Sequence, residues 1–328
     1  MTDTSKSPPL VEAREVSKLF PTRPGLYGHS SSRFVRAVDR VSLSINRGEI
    51  VGLVGESGCG KSTLGRLLIR LESPTAGTIH FDSTDITRVR GRKLRRMRQS
   101  MQIIFQDPAS SLNPRFTVRE TLREAIRVRH NRLSNRLLNV RLAALLQMVG
   151  LGTFDLDKYP REFSGGERQR IAIARALAVD PAFIIADEPI SALDLTNQSQ
   201  IVYLIEELRE EVGCSFLLIS HDLDVIKYLC SRVAVMYLGR VIETASTEDL
   251  FENPRHPYTQ ALMAACLSLD PDDKKKPLIL PGDPPSAQDP PKGCHFHPRC
   301  SRTETKCTLL EPELREPRPN HFTKCFFD

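Results

Sequence analysis

No stretch of this 328-residue chain approaches the roughly 18 consecutive apolar residues that a membrane-spanning helix needs. Its opening, MTDTSKSPPL, is polar and proline-containing and lacks the layout of a signal peptide, so a cytoplasmic protein is expected. Sustained heptads are missing as well, which excludes a long coiled-coil insert, and no internal repeat is present. Charge of one sign does not dominate either. The net charge of +6 is mild, and much of it gathers in Arg88, Arg90, Arg92, Lys93, Arg95, Arg96 and Arg98, which read as one solvated helix; nucleic acid is not implied. At 40% hydrophobic, the chain has enough apolar content for one large domain with an appendage.

Val11 to Phe20 and the alternating Ala37 to Ile45 read as strands separated by a Pro/Gly/Ser-rich loop, which predicts an antiparallel β subdomain. The compact apolar run EIVGLV, a glycine-rich turn and a helix-like TLGRLLIRL then begin a parallel α/β core. Between about Thr117 and Val149 apolar residues recur at helical spacing, predicting a helical insert over about 107–163. The α/β alternation resumes through ERQRIAIARALA, AFIIAD, QSQIVYLIEELREEV and SFLLIS. A main domain over 1–268, a Pro-rich linker over 269–292 and a cysteine-rich extension over 293–328 are expected.

Gly55-Glu56-Ser57-Gly58-Cys59-Gly60-Lys61-Ser62 matches G-x-x-x-x-G-K-[ST] between an apolar strand and a helix. Its glycines let backbone N–H groups curl around an anion, Lys61 would balance β- and γ-phosphate charge, and the Ser62 hydroxyl can bind Mg²⁺. Asp187 and Glu188 end the strand AFIIA, where Asp187 can hold hydrated Mg²⁺ and Glu188 can polarise the attacking water. Alone, such a pair could equally cap a helix. His221 ends the strand FLLIS and suits either a γ-phosphate sensor or a structural role.

Four cysteines, Cys294, Cys300, Cys307 and Cys325, crowd the end with five, six and seventeen residues between them. That is neither C-x-x-C zinc spacing nor the common ferredoxin run, and spacing alone names no metal. A cytosolic chain favours metal ligation over disulfides. His295, His297 and His321 lie near enough to compete as ligands.

Phe163-Ser164-Gly165-Gly166-Glu167-Arg168-Gln169-Arg170, shortly before a strand and the acidic pair, resembles the signature of ABC ATPases, with Glu167 where Gln is common and Phe163 where Leu is commoner. Gln106 in FQDP resembles the Q-loop, Ser191-Ala192-Leu193-Asp194 the D-loop, and His221 the switch histidine. More narrowly, GESGCGKSTLGRLLIRLESPTAG, IFQDPASSLNPR, HPYTQALMAA and the cysteine-rich end look like the F-type ATPases of oligopeptide/dipeptide importers, over nearly the whole chain.

The resemblance implies an ABC-type P-loop NTPase fold with antiparallel, helical and cysteine-rich parts. It implies catalytic roles for Lys61, Gln106, Glu188 and His221. ATP would meet Phe20 (with Phe34 a rival for the adenine), Gly55, Glu56, Ser57, Gly58, Cys59, Gly60, Lys61, Ser62, Thr63, Gln106, Ser164, Gly165, Gly166, Glu167, Asp194 and His221. Mg²⁺ would meet Ser62, Gln106 and Asp187, and a [4Fe-4S] cluster, or alternatively zinc, would meet the four tail cysteines, with unligated thiols as the third reading. Expected partners are a second ABC ATPase of a different, D-type kind, two membrane permease subunits and an extracytoplasmic solute-binding protein, with this chain peripheral on the cytoplasmic face of the inner membrane. The solute is expected to be a di- or oligopeptide, with nickel or another small solute as the alternative. A soluble ABC ATPase acting on nucleic acid or ribosomes, and an iron-sulfur assembly scaffold, are rival readings.

Overall fold

The computed structural model describes residues 8–22, 34–191, 193–264 and 280–327, which leaves Ala192 of the D-loop-like run and 269–279 of the expected linker outside the described residues. The chain forms two compact units, one of residues 1–44, 51–87 and 221–328 and the other of 45–50 and 88–220.

In the first unit, alternation of apolar and polar residues builds the expected antiparallel sheet. Its strand order is Phe34–Ile45, Val11–Pro21, Ala76–Phe81, Thr84–Asp85. Val11 faces Phe81 and Ala13 faces Ile79 in register, so the apolar positions of both strands fall on one buried face. A second set of strands runs Arg315–Arg318, His321–Thr323, Arg240–Ser246, Arg232–Tyr237 and Ile50–Val54. Ile50–Val54 lies parallel to Arg232–Tyr237, with Val51 opposite Arg232 and Val54 opposite Val235. Every residue of Ile50–Val54 is buried, which is why it reads as a continuous apolar run rather than an alternating one. The cysteine-bearing segment joins this sheet, because His321–Thr323 pairs antiparallel with Arg240–Ser246.

In the second unit, Met101–Ile104, Phe183–Asp187 and Ser215–Ile219 are parallel neighbours, and Asp187 faces Ile219 at the strand ends. Helix Val118–Arg129 starts on a capping box in which Thr117 Oγ1 accepts the Glu120 N–H (3.2 Å) and Glu120 Oε2 accepts the Thr117 N–H (2.8 Å). It buries Val118, Leu122 and Ile126, one stripe at four-residue spacing. Helix Asn135–Met148 likewise buries Leu138, Leu142, Leu145 and Leu146. The arginine-rich helix Gly91–Met97 buries no residue, as a solvated helix should.

Candidate nucleotide site

The phosphate loop leaves the buried strand Ile50–Val54 through three left-handed glycines, with φ of 149° at Gly55, 77° at Gly58 and 109° at Gly60. Two of them are also pressed against backbone: a Cβ on Gly55 would lie 2.1 Å from Met236 O, and one on Gly60 would lie 2.0 Å from Ala37 O. Only glycine fits such positions. Gly60 heads helix Lys61–Leu68 without a capping side chain, so the positive end of the helix dipole opens on the loop. Lys61 is 6% exposed and its Nζ donates to Gly55 O (2.7 Å) and Glu56 O (3.0 Å). Cys59 is buried in the loop, and that burial pushes its thiol above the usual range. Ser57 and Gly58 are exposed, while Ser62 and Thr63 are half-buried in the first helical turn.

Glu56 is held from three sides. Its N–H donates to Tyr258 Oη (2.8 Å), and its carboxylate takes both ends of the Arg299 guanidinium (2.8 and 3.0 Å) while its carbonyl holds Lys61. Neither Tyr258 nor Arg299 was read from the sequence as a site residue. His-Pro-Tyr lay within a stretch recognised only by resemblance, and Arg299 belongs to no motif.

In the second unit Asp187 ends its strand buried at 5% exposure, and Glu188 follows with φ of 50°. A left-handed glutamate is costly backbone. The Glu188 N–H is fixed on Ile219 O (2.9 Å), and its carboxylate accepts Gln106 Nε2 (2.9 Å). Two residues singled out separately in the sequence are thus one hydrogen-bonded pair.

Ser164 caps helix Gly165–Leu177. Its Oγ accepts the Glu167 N–H (3.3 Å), and Glu167 Oε2 accepts the Ser164 N–H (2.8 Å). Phe163 is buried at 5% exposure and packs under the Lys158 ammonium. Gly166 is closed against the next helix, Leu195–Val212, since a Cβ there would lie 2.3 Å from Asn197 Oδ1. Asn197 in turn donates its N–H and amide to Asp194 (3.0 and 2.7 Å), and those bonds hold the Asp194 carboxyl below its usual range.

In the first unit, His221 is exposed just ahead of helix Leu223–Leu229, whose cap is Asp222. Phe20 is half-buried with the Lys18 ammonium 4.7 Å from its ring centre, and Phe34 is 43% exposed.

The four tail cysteines line one small cavity together with Phe296 and Phe327. All four are free of disulfides. Cys300 Sγ accepts the Arg302 N–H and Cys325 Sγ the Phe327 N–H, both at 3.4 Å. Burial pushes the Cys294 thiol up to about 11. Among the described residues no three His, Cys, Asp or Glu side chains form a group that could hold a metal ion, so neither the expected [4Fe-4S] cluster nor the zinc alternative finds support in the structure.

The ABC transporter family matches residues 38–191, and the oligopeptide/dipeptide transporter C-terminal region matches 242–307. The oligopeptide transport ATP-binding protein AppF of Bacillus subtilis is 47% identical over 96% of this chain and 96% of its own. The dipeptide transport ATP-binding protein DppF of Escherichia coli is 44% identical over 94% of this chain and 91% of its own. Among solved structures, the ATP-binding cassette MJ0796, described as a dimer in a post-hydrolysis state bound to ADP and Pi, superposes with a TM-score of 0.64 at 29% identity. That match spans 72% of this chain and 98% of the cassette. Phosphate loop, acidic strand end, capped signature helix and C-terminal region therefore occur together in one chain, and it belongs to the ATP-hydrolysing subunits of ABC transporters that carry the oligopeptide/dipeptide C-terminal region.

Proposed function

We propose that ATP hydrolysis by this chain powers the import of di- and oligopeptides through an ABC transporter. The observation that carries this reading is the likeness to peptide-import ATP-binding proteins, which extends over the C-terminal region as well as the cassette.

In this reading the loop N–H groups and Lys61 hold the β- and γ-phosphates. Ser62, Gln106 and Asp187 would hold Mg²⁺, which would supply positive charge to the phosphates. Glu188 takes a proton from the attacking water, and Gln106, bonded to its carboxylate, links that base to the nucleotide. His221 contacts the γ-phosphate and Phe20 the adenine. Ser164, Gly165, Gly166, Glu167 and Asp194 face the triphosphate held by a second ATPase subunit, a different, D-type one. ATP then favours a closed pair, and hydrolysis reopens it, driving two permease subunits fed by a solute-binding protein.

No helix among the described residues is long and apolar enough to cross a membrane, which suits a peripheral subunit on the cytoplasmic face. Leu137, Val140 and Phe154, at 55%, 61% and 76% exposure, supply apolar surface in the helical region for the permeases.

The tail cysteines are assigned a [4Fe-4S] cluster. The four cysteines line one small cavity, and soft thiolates brought together in one place are the usual ligands of such a cluster. The two N–H to sulfur bonds suit thiolate ligands. Bound there, the cluster would cross-link three separated pieces of the tail. Purified anaerobically, the protein is expected to contain iron and acid-labile sulfide and to lose both in Cys307→Ala; an iron-free, colourless protein removes the assignment.

Glu188→Gln tests the catalytic reading. Turnover is expected to fall by about 10²- to 10⁴-fold, with a subunit pair accumulating on ATP addition. Hydrolysis at the wild-type rate would take Glu188 out of its role.

A further inference from the structure

We infer that the C-terminal region positions the phosphate loop, with Arg299 as the positioning residue and Glu56 as its handle. The inference rests on the reading that this loop binds ATP, and it gives the C-terminal region a physical task beyond that of its cysteines.

Glu56 occupies an x position of the loop motif, where phosphate binding asks for backbone and no side chain. A carboxylate there opposes a triphosphate, because like charges a few ångströms apart repel strongly in a partly buried site. Arg299 removes that charge. Arg299 is 6% exposed and its guanidinium bonds Glu56 bidentately at 2.8 and 3.0 Å, while Nε donates to Pro281 O at 3.2 Å. The fork is therefore anchored in the C-terminal segment at one side and in the loop at the other. The Glu56 hydrogen bond holds Arg299 firmly protonated.

A second attachment acts on the same residue. Tyr258 Oη takes the Glu56 N–H at 2.8 Å, which fixes the Gly55–Glu56 peptide, whose Gly55 carbonyl receives Lys61 Nζ at 2.7 Å. Tyr258 cannot drift, since its ring packs 4.8 Å from Tyr237 and 5.5 Å from Phe296, and Tyr237 and Phe296 meet edge to face at 5.3 Å. Phe296 lies three residues before Arg299, so one aromatic block sets the position of both attachments. Arg299 and Tyr258 thus place Glu56, and Glu56 places the lysine that meets the phosphates.

The test is ATP affinity of the full chain, measured by calorimetry beside thermal melts, for Arg299→Gln, Glu56→Gln/Arg299→Gln and Lys61→Ala. Arg299→Gln is expected to weaken ATP binding about tenfold or more by leaving Glu56 charged and loose. The double variant, which removes that charge and lets the two Gln amides bond each other across the same gap, is expected to recover most of the loss. A purely structural Arg299 would lower the melting temperature and leave the affinity of the folded protein unchanged, which overturns the inference. So does a double variant no better than Arg299→Gln. Should Arg299→Gln not fold, Arg299→Lys and Tyr258→Phe keep the packing, and each is expected to weaken binding at least about threefold; wild-type affinity in both also overturns it. Lys61→Ala separates the two readings. Unchanged ATP binding there defeats the loop assignment itself, whereas its loss beside an unaffected Arg299→Gln defeats only the positioning role.

Discussion

Gly58 and Gly60 stand two positions apart in one loop, both left-handed, yet they should respond differently to the same methyl group. At Gly58 (φ 77°) nothing lies within 4 Å of an added Cβ, so Gly58→Ala costs only backbone strain, about 1 kcal/mol. At Gly60 (φ 109°) the Cβ meets a backbone oxygen at 2.0 Å, and the strand carrying it must move. Gly60→Ala is expected to cost roughly 2–4 kcal/mol and to abolish ATP binding, read by urea unfolding and calorimetry. Equal effects at both positions would mean that the close approach to Ala37 does not govern the loop. The loop residues were readable in the sequence because G-x-x-x-x-G-K-[ST] is local and its chemistry follows from spacing. The Glu56–Arg299 pair was not, since 243 positions separate its members and a single sequence does not pair distant charges. Glu188 shows an intermediate case. Its place after an apolar strand suggested a catalytic role, but its left-handed backbone and its bond to Gln106 emerge only from three-dimensional structure.

Several helices of the cassette start on a side-chain cap: Thr117, Ser134, Ser164 and Asp194 each accept an N–H of the first turn. The signature helix shows what a cap adds to function. Ser164 spends its hydroxyl on the Glu167 N–H, and Glu167 answers on the Ser164 N–H, so the unusual glutamate completes a capping box. An amide oxygen can accept the same bond. Glu167→Gln should therefore cost at most about 0.5–1 kcal/mol, the lost attraction of a carboxylate for the helix N-terminus, and leave ATPase turnover within about twofold of wild type. Ser164→Ala should cost about 1 kcal/mol in stability but reduce turnover far more, by about 10²-fold, because the same tip is assigned to the γ-phosphate. Thermal melts and steady-state ATPase assays separate the two effects; matched losses in both variants would reduce the signature tip to a helix start. Elements of the tail escaped the sequence for an opposite reason. His321–Thr323 is three residues long, too short for alternation to show, and it exists as a strand only because Arg240–Ser246 offers it an edge.

Within the unit that carries the phosphate loop, ion pairs fasten the cysteine-bearing segment to the sheets. Arg240, 7% exposed, reaches Asp39 at 2.7 Å and Glu311 at 2.6 Å, and Arg40 also bonds Glu311. Nearby, fully buried Glu243 joins His321 at 2.7 Å and accepts the Arg255 and His256 N–H groups. Burial raises the Asp39 and Glu311 carboxyls, but hydrogen bonds and charge from Arg240 and Arg40 outweigh it, and both end below their usual values. A carboxyl whose pKa is lower folded than unfolded stabilises fully above its unfolded value and loses that stabilisation as pH falls through the folded one. Removing the cation with Arg240→Met should thus cost about 3 kcal/mol at pH 7, where Asp39 is left charged and largely buried. The gap to wild type should shrink as pH drops from about 5 toward 2, because protonated carboxyls no longer need Arg240. Urea unfolding of both proteins at several pH values measures this, and a gap that stays constant down to the lowest pH would show that Arg240 acts through packing alone. Cleavage of the C-terminal segment by a protease should follow the same pH course, since the charges that anchor it are the ones being neutralised.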